Sequence, residues 1–441
     1  MAQSDYAVDT ALAEASAGTL LTGVDGAPLS LDVLSRAVIC LFPGADLPVR
    51  SVGIAEGTEL KQPSSHSATL QCECDTGGHD VFMKKCTAAA LAHKPWADRR
   101  RTLMYIRNEM RFYNEFASEL HSRGVGLPRV GLLHGSLAPA LGVDEEVSAA
   151  PGDEPTAADL ATCGAMLFLE PLADGRYEQE APLRPARALV LLKAAAKLHA
   201  AAMGDVPLLD AAAARLQRHG GSFALSIRNP KELDKCVANW AHFVEVFTAS
   251  DPALFARPEV AALGARLHAA SGYVAAQLAP EPAAEYATLV HGDLKAMNVF
   301  LPASEDDEEV DGALLIDFAS TGVGYGMADL GMNLSHAVLP ADLADGGEKA
   351  LLDGYLDAVA AAGATYPREV ALRHYRLGVV DYGRFVLGRF WGSASPEAFA
   401  AKAGKVNIGL VNRDVAAALA FADRVSRYLC EFEREMAAVA K

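Results

Sequence analysis

Residues 289–301 read LVHGDLKAMNVFL, and residues 314–318, a little further along the chain, read LLIDF. In each stretch an apolar run of the kind that forms a buried strand adjoins polar residues. Asp293, Asn298 and Asp317 are therefore expected at strand ends around one hairpin, where loops present polar groups at the edge of a rigid sheet. The acidic residues 305–309 lie between the two strands and are predicted to form the solvated tip of this hairpin.

These residue types supply what phosphoryl transfer requires. A carboxylate must orient the acceptor hydroxyl and take its proton, and Asp293 fits this role as base or as orienting group. Carboxylate and amide oxygens must hold Mg²⁺ against the phosphates, which fits Asn298 and Asp317. A cation should meet the charge on the transferring phosphoryl group, and Lys295, two residues after Asp293, fits that role.

The HGDLKxxN pattern followed by IDF resembles the catalytic and metal-binding loops of the protein-kinase-like superfamily. Gly292 stands where protein kinases usually have Arg, so the chain looks like the small-molecule branch: aminoglycoside phosphotransferases, choline/ethanolamine kinases and ecdysteroid-kinase-like proteins. Lys295 departs towards the protein kinases, since the small-molecule branch often has His or Trp there. The resemblance is strong over residues 286–335.

This resemblance implies an α+β bilobal, protein-kinase-like fold. Residues 1–170 would form a small strand-rich N-terminal lobe, and residues 171–441 a larger, mostly helical C-terminal lobe with the catalytic loops and the acceptor site. ATP and Mg²⁺ are the implied cofactors, with one cleft between the lobes. In the resembled families an Asp at the place of Asp329 holds the catalytic loop by hydrogen bonds, and His199 matches a helix motif and is expected in the core.

The resemblance also implies a Lys on a strand of the first lobe, contacting the α- and β-phosphates and paired with a Glu on the next helix. Residues 81–84 read VFMK and predict that strand. Lys84 and Lys85 are both candidates, because the alternation of side chains cannot choose between them. The resemblance favours Lys84.

Glu109 lies on a helix that apolar periodicity predicts over residues 98–122. Its neighbours three and four positions away are tyrosine, isoleucine, phenylalanine and tyrosine, so it has no local cation. A carboxylate on an apolar row needs a partner from elsewhere, and Lys84 is the candidate. The alternative is that the Glu109 carboxylate reaches solvent at the edge of the apolar stripe.

Other parts of the predicted site leave alternatives open. Residues 167–170 would connect the lobes and offer backbone groups to the adenine edge, which places Glu170 in the nucleotide site. The phosphate-covering loop is either the stretch between Gly53 and Gly57 or residues 63–65, because the full three-glycine kinase pattern is missing. A late helix carries an aromatic and arginine group that either faces the acceptor or consists of core aromatics and solvated arginines: Tyr382, Arg384, Phe385, Arg389, Phe390 and Trp391.

Composition narrows the class of protein. The 441 residues are 51% hydrophobic and 22% charged, which excludes a disordered chain. At roughly 150 residues per domain, this length predicts about three domains or one two-lobed enzyme. The net charge of −17 argues against nucleic acid and anionic membranes as partners.

Targeting and cysteine patterns favour a cytoplasmic protein. The first basic residue is Arg36, so the basic region of a signal peptide is missing. No apolar run reaches the roughly 18 residues of a membrane helix. The seven scattered cysteines form no disulfide framework and are expected to be reduced thiols.

The sequence therefore predicts an ATP- and Mg²⁺-dependent kinase of a small hydroxylated molecule. The main alternative is a catalytically silent nucleotide-binding scaffold of the same fold. A protein Ser/Thr kinase is favoured only by Lys295, since Ala319 replaces the Gly of Asp-Phe-Gly. A hydrolase built on His291 and Asp293 would need a G-x-S-x-G elbow, which residues 220–222 lack. The identity of the acceptor and the oligomeric state are not specified.

Overall fold

The computed structural model describes residues 20–45, 47–62, 65–75, 77–142, 152–172, 175–304 and 312–439. The chain divides into two units, which are treated separately. The first comprises residues 1–118 and 127–175, and the second comprises residues 119–126 and 176–441. The first unit thus ends a little beyond the boundary predicted after residue 170.

An antiparallel sheet forms the centre of the first unit. Its strands are β1 (Ser51–Ile54), β2 (Leu60–Lys61), β3 (His66–Cys74), β4 (Gly77–Thr87), β5 (Val130–Ser136) and β6 (Gly164–Leu169). Their order across the sheet is β1-β3-β4-β6-β5, with β2 beside β3. The strands predicted within residues 49–86 and at residues 165–169 are confirmed. β3 and β4 are longer than the short strands expected, because pairing continues to the turn, where Cys74 lies opposite Gly77.

The helices of the first unit are α1 (Leu31–Leu41), α2 (Trp96–Arg111), α3 (Ala117–Ser122), α4 (Ala138–Leu141) and α5 (Ala157–Ala161). A π-helical turn, Phe112–Phe116, joins α2 to α3, whose last residues fall in the second unit. The helix predicted over residues 98–122 is confirmed along its path. The apolar spacing did not reveal its one wide turn, in which the amide of Ala117 donates to the carbonyl of Phe112.

α1 covers the sheet of the first unit with its apolar face. Leu34, Val38 and Leu41 are fully buried, and they belong to the same core cluster as Leu70 and Met83 of the sheet. Their spacing of three and four residues places them on one side of the helix. The sequence pattern therefore predicted both the helix and its buried face.

Short strands occur in the second unit: β7 (Tyr177–Glu178), β8 (Gln217–His219), β9 (Thr288–Val290), β10 (Val299–Pro302), β11 (Leu314–Leu315) and β12 (Gly322–Gly324). They form two three-stranded sheets, β11-β10-β7 and β8-β12-β9. β10 and β11 pair antiparallel, with Val299 opposite Leu315, which confirms the predicted hairpin. Its predicted tip, residues 305–309, lies outside the described residues.

Helices make up most of the second unit: α6 (Pro185–Ala202), α7 (Val206–Arg215), α8 (Pro230–Asp234), α9 (Cys236–Phe247), α10 (Pro252–Phe255), α11 (Pro258–Ala261), α12 (Leu263–Gln277), α13 (Gly326–Ala337), α14 (Pro340–Leu343), α15 (Gly347–Ala361), α16 (Arg368–Arg389), α17 (Pro396–Ala400) and α18 (Val415–Val439). Six long helical stretches were predicted here, and two of them are interrupted, at Lys235 and at Ala262. The α+β class, with a strand-rich first part and a helical second part, is confirmed.

An aromatic cluster fills the core beside α9. The rings of Phe243 and Trp391 stack with centroids 4.1 Å apart, and Trp240 stacks 6.1 Å from Trp391. All three are buried. Trp391 is therefore a core residue, and Arg384 is buried in an ion pair with Asp381 at 2.7 Å instead of being solvated. Among the described residues, no helix has the length and apolarity needed to cross a membrane.

Candidate active site

The catalytic loop, residues 291–298, follows β9 and begins with a turn that only glycine fits. Gly292 has a φ of +78°, a left-handed conformation that side chains disfavour. A Cβ on this residue would lie 2.1 Å from the carbonyl oxygen of Ser320 and 2.7 Å from the amide nitrogen of Gly221. Conformation and packing therefore both require the glycine of the His-Gly-Asp sequence.

Asp329, in the first turn of α13, holds this turn from below. Its Oδ2 accepts from the amide of His291 at 2.7 Å, and its Oδ1 accepts from the amide of Gly292 at 3.0 Å. The buried imidazole of His199 lies 3.2 Å from Oδ2 and contacts the Tyr355 hydroxyl on its other side at 2.7 Å. The loop-holding bonds that the resemblance implied for Asp329 are present, and His199 supports them from the core.

Both carboxylate oxygens of Asp293 are oriented by neighbouring groups. Oδ1 accepts a hydrogen bond from the Ser222 hydroxyl at 3.0 Å. Oδ2 lies 3.3 Å from Lys295 Nζ and 3.3 Å from Asn298 Nδ2. The side chain of Asp293 remains 22% exposed, so it is held in place and yet accessible to a ligand. The structure thus brings Asp293, Lys295 and Asn298 together.

Asn298 and Asp317 come side by side through the β10–β11 hairpin. Nδ2 of the buried Asn298 donates to the Asp293 carbonyl at 2.9 Å, and its own carbonyl accepts from the amide of Ile316 at 2.9 Å. The next residue, Asp317, has φ +66° and ψ +58°, a left-handed conformation that is uncommon outside glycine. Such strained positions cluster at functional sites.

Mg²⁺ fits the chemistry of these donors. The amide oxygen of Asn298 and the carboxylate of Asp317 are hard oxygen ligands, and magnesium sites commonly use one or two such groups completed by phosphates and water. No cluster of three or more His, Cys, Asp or Glu side chains suited to a metal occurs in the described part of the chain. This pair is therefore suited to a nucleotide-borne ion and not to a closed protein cage.

His291 is not placed to act as a base. Its Nε2 lies 2.9 Å from the carbonyl of Ile316, and its Nδ1 accepts from the amide of Asp293 at 3.3 Å. Ser222 contacts the Asp293 carboxylate directly, without an intervening imidazole. This arrangement does not resemble a nucleophile activated by histidine, in agreement with the rejection of a hydrolase from the sequence.

In the first unit, Lys84 pairs with Glu109. Lys84 Nζ donates to Glu109 Oε2 at 2.7 Å, and the two side chains are only 15% and 2% exposed. Lys85 points to the opposite face of β4, where its Nζ donates to the carbonyl and hydroxyl oxygens of Thr22. Burial lowers the pKa of Lys85 to about 8. Of the two candidates, Lys84 is thus the one paired with Glu109, while its role towards phosphate remains a prediction.

Glu170 uses its side chain to join β5 to β6. Its carboxylate accepts from the amide of Arg129 at 2.6 Å and from the guanidinium Nε at 2.8 Å. Its own amide donates to the Arg129 carbonyl at 3.0 Å. The side chain is therefore a structural anchor, and the adenine contact proposed for this segment remains a prediction.

Sequence reasoning missed Ser222 as a partner of Asp293. The two residues are 71 positions apart, and the Gly220-Gly221 pair before the serine was the only local signal of a tight turn. The sequence also did not reveal that Tyr382 is buried near Asp293. Burial raises the pKa of the Tyr382 phenol, and the charge of Asp293 raises it further.

Residues 157–362 match the ecdysteroid kinase-like family. This match confirms the resemblance to small-molecule phosphotransferases stated from the sequence. It includes Glu170, Ser222, the catalytic loop and Asp317, whereas Lys84 and Glu109 lie outside it.

Solved aminoglycoside phosphotransferases are also similar to this chain. The GDP complex of wild-type aminoglycoside 2'-phosphotransferase-IIIa is 11% identical with a TM-score of 0.37, covering 93% of this chain and 99% of that chain. A mutant of that enzyme with GDP gives 12%, 0.38, 93% and 98%. Aminoglycoside phosphotransferase APH(3'')-Id from Streptomyces rimosus, in complex with ADP and streptomycin, gives 16%, 0.34, 81% and 99%. No curated protein matches the chain.

Proposed function

We propose that this protein is an ATP- and Mg²⁺-dependent kinase that phosphorylates a hydroxyl group of a small molecule. The observation that carries the proposal is the fixed geometry of Asp293, whose two carboxylate oxygens are oriented by Ser222, Lys295 and Asn298 at 3.0 to 3.3 Å. A carboxylate held in this way suits the orientation of an alcohol and the acceptance of its proton.

In this proposal Asp293 binds the acceptor hydroxyl and takes its proton as the new bond to phosphorus forms. Lys295, beside it, faces the negative charge that spreads over the transferring phosphoryl group, where a fixed cation lowers the barrier most. The hydrogen bond from Ser222 holds the carboxylate in a single orientation. Each of these groups belongs to the second unit.

Asn298 and Asp317 would hold Mg²⁺, which when bound neutralises charge on the phosphates of ATP. Asn298 Nδ2 is engaged by the Asp293 carbonyl, and this bond fixes the orientation of the side-chain amide. In the first unit, Lys84 would contact the α- and β-phosphates. Glu109 supports this role because it is almost fully buried and fixes the ammonium group at 2.7 Å.

The test is ATP turnover against a panel of small hydroxyl compounds. Asp293→Asn keeps the shape of the side chain but removes the proton acceptor, so we expect turnover to fall by about 100-fold or more. Asp210→Asn, an exposed residue of α7, is the matched control and should retain wild-type turnover. Unchanged turnover in Asp293→Asn would remove the basis of the proposal.

A catalytically silent nucleotide-binding protein is the second candidate, because the β1–β2 turn uses its donors internally. The Thr58 hydroxyl donates to the carbonyl of Ala55 at 2.7 Å and accepts from the amide of Thr69 at 3.1 Å. Of the alternative phosphate-loop residues, positions 63 and 64 lie outside the described residues. Thermal stabilisation by Mg·ATP without turnover of any acceptor would favour this second candidate.

A further inference from the structure

One face of α13 connects the catalytic loop to a later segment, residues 409–413. Asn333, one turn beyond Asp329, donates from Nδ2 to the Leu294 carbonyl at 2.8 Å. His336, three residues further along the same face, packs against Gly409, where a Cβ would lie 2.6 Å from the imidazole Cδ2. The segment that ends at Arg413 is thereby placed next to the elements that hold Asp293.

Arg413 is buried without the partner that a buried guanidinium requires. It is 7% exposed, and its Nη1 donates to the carbonyl of Ala403 at 2.5 Å. Its Nε and Nη2 are buried and have no hydrogen-bond partner among the described residues. Three comparably buried arginines of the second unit, Arg187, Arg384 and Arg424, each pair with a carboxylate.

Other orphan polar atoms surround the same place. Asn333 Oδ1, His336 Nδ1 and Asn412 Oδ1 are buried and lack a hydrogen-bond partner within the described ranges. Burial lowers the pKa of His336 to about 4, with further lowering by the charges of Lys295 and Arg413 and an opposing effect of Asp293. His336 is therefore neutral at physiological pH and lies within electrostatic reach of both the catalytic loop and Arg413.

The unpartnered atoms of Arg413 have a specific geometry. Nε and Nη2 form one edge of the guanidinium plane, and this edge presents two parallel N–H groups that match the two oxygens of a carboxylate. Burying a charged group without a partner is costly, and native proteins rarely do so except at sites that bind something. A ligand carboxylate would satisfy both donors at once.

We propose that Arg413 recognises the acceptor and that the acceptor is a hydroxy acid. Its carboxylate binds the Nε–Nη2 edge of Arg413, with His336 and Asn412 beside it, and its hydroxyl meets Asp293. This inference rests on the proposed kinase function. In the reaction, the acceptor oxygen bonds to the γ-phosphorus of ATP, the bond from that phosphorus to ADP breaks, and the hydroxyl proton passes to Asp293.

The experiment compares hydroxy acids with their own carboxamides as acceptors, because the two members of each pair differ only in the anionic group. For the wild-type protein we expect kcat/KM to be about tenfold or more higher for the acid. Arg413→Lys keeps the charge but loses the two-pronged edge, so its KM for the acid should rise about tenfold with kcat little changed. Arg389→Lys, an exposed arginine paired with Glu232, is the matched control and should behave as wild type.

Two further readouts keep the outcomes distinct. Thermal stabilisation by the acid and by the carboxamide, in the presence of Mg·ADP, tests the preference on the wild-type protein if Arg413→Lys does not fold. Equal turnover and equal stabilisation by both members of the pairs would overturn this inference and leave the kinase proposal standing. An absence of turnover with every acceptor would overturn both.

Discussion

Gly292 is the residue at which backbone conformation and packing make the same demand. Gly292→Ala would require a side chain at φ +78° and a Cβ 2.1 Å from the Ser320 carbonyl oxygen. We expect the free energy of unfolding to fall by about 3 kcal/mol, since strain and overpacking both contribute. Urea denaturation measures this change.

Gly272→Ala provides the matched control for this measurement. Gly272 lies within α12, and a Cβ there would meet nothing within 4 Å. Alanine should therefore raise the free energy of unfolding by up to about 1 kcal/mol. Similar values for the two variants would contradict the argument about the turn.

Ser222 is expected to act on turnover and hardly on stability. Ser222→Ala removes the 3.0 Å hydrogen bond to Asp293 Oδ1 and lets the carboxylate rotate. Loss of about 1.4 kcal/mol of orientation corresponds to a kcat about tenfold lower with little change in Tm. Steady-state kinetics tests this, with the exposed Ser226→Ala as control; an unchanged kcat would show that Ser222 does not position the base.

The residues that sequence reasoning found are those with a local pattern around them. Asp293 and Asn298 stand in one short motif, and Glu109 was conspicuous because its helical neighbours contain no cation. Ser222 and Arg413 could not be found in this way. Their significance depends on contacts that the fold makes with distant parts of the chain, and neither is distinguished by the residues next to it.

At the scale of elements, the alternation of β4 separates two adjacent lysines. Lys84→Met leaves Glu109 buried without its cation, so we expect a loss of about 3 kcal/mol in stability. Turnover should fall by about 100-fold, because a phosphate-binding cation is lost. Chemical denaturation and the ATP assay measure the two effects.

Lys85→Met is the control on the same strand. It removes the hydrogen bonds to Thr22 and should lower stability, while turnover per folded molecule stays within about threefold of wild type. A reversed pattern, with turnover lost only in Lys85→Met, would assign the phosphate-binding role to the wrong lysine.

Most elements were predictable because apolar residues recur at the period of the element. β6 is an unbroken apolar run, and α1 has a single buried stripe. The π-helical turn Phe112–Phe116 was not predictable, since one extra residue in a turn hardly changes the average spacing. The breaks at Lys235 and Ala262 escaped for the same reason, because apolar residues continue through them.

At the scale of the whole molecule, buried histidines should make stability depend on pH. Burial lowers the pKa of both His336 and His374 to about 4. Below the ordinary value near 6.5, the unfolded chain binds protons that the folded protein refuses, so stability falls as the pH falls. At about 1.4 kcal/mol per pH unit for each group, we expect a loss of about 4 kcal/mol between pH 7 and pH 5.

Urea denaturation at the two pH values measures this loss. His374→Phe keeps a ring for the stack against Tyr325, whose centroid lies 3.7 Å away, and removes the titrating group. The variant should lose only about half as much stability on acidification. His268→Phe, an exposed residue of α12, should show the wild-type dependence; an equal loss in both variants would contradict the assignment to buried histidines.

The stacked pair of Trp240 and Trp391 gives the molecule optical reporters of its own. The chain has three tryptophans, and the third, Trp96, is buried in the first unit. Replacing Trp96 by Phe would confine the intrinsic fluorescence to the aromatic cluster of the second unit, and replacing the other two would confine it to the first. Unfolding of each unit, and the response of each unit to a nucleotide, can then be followed separately without any attached dye.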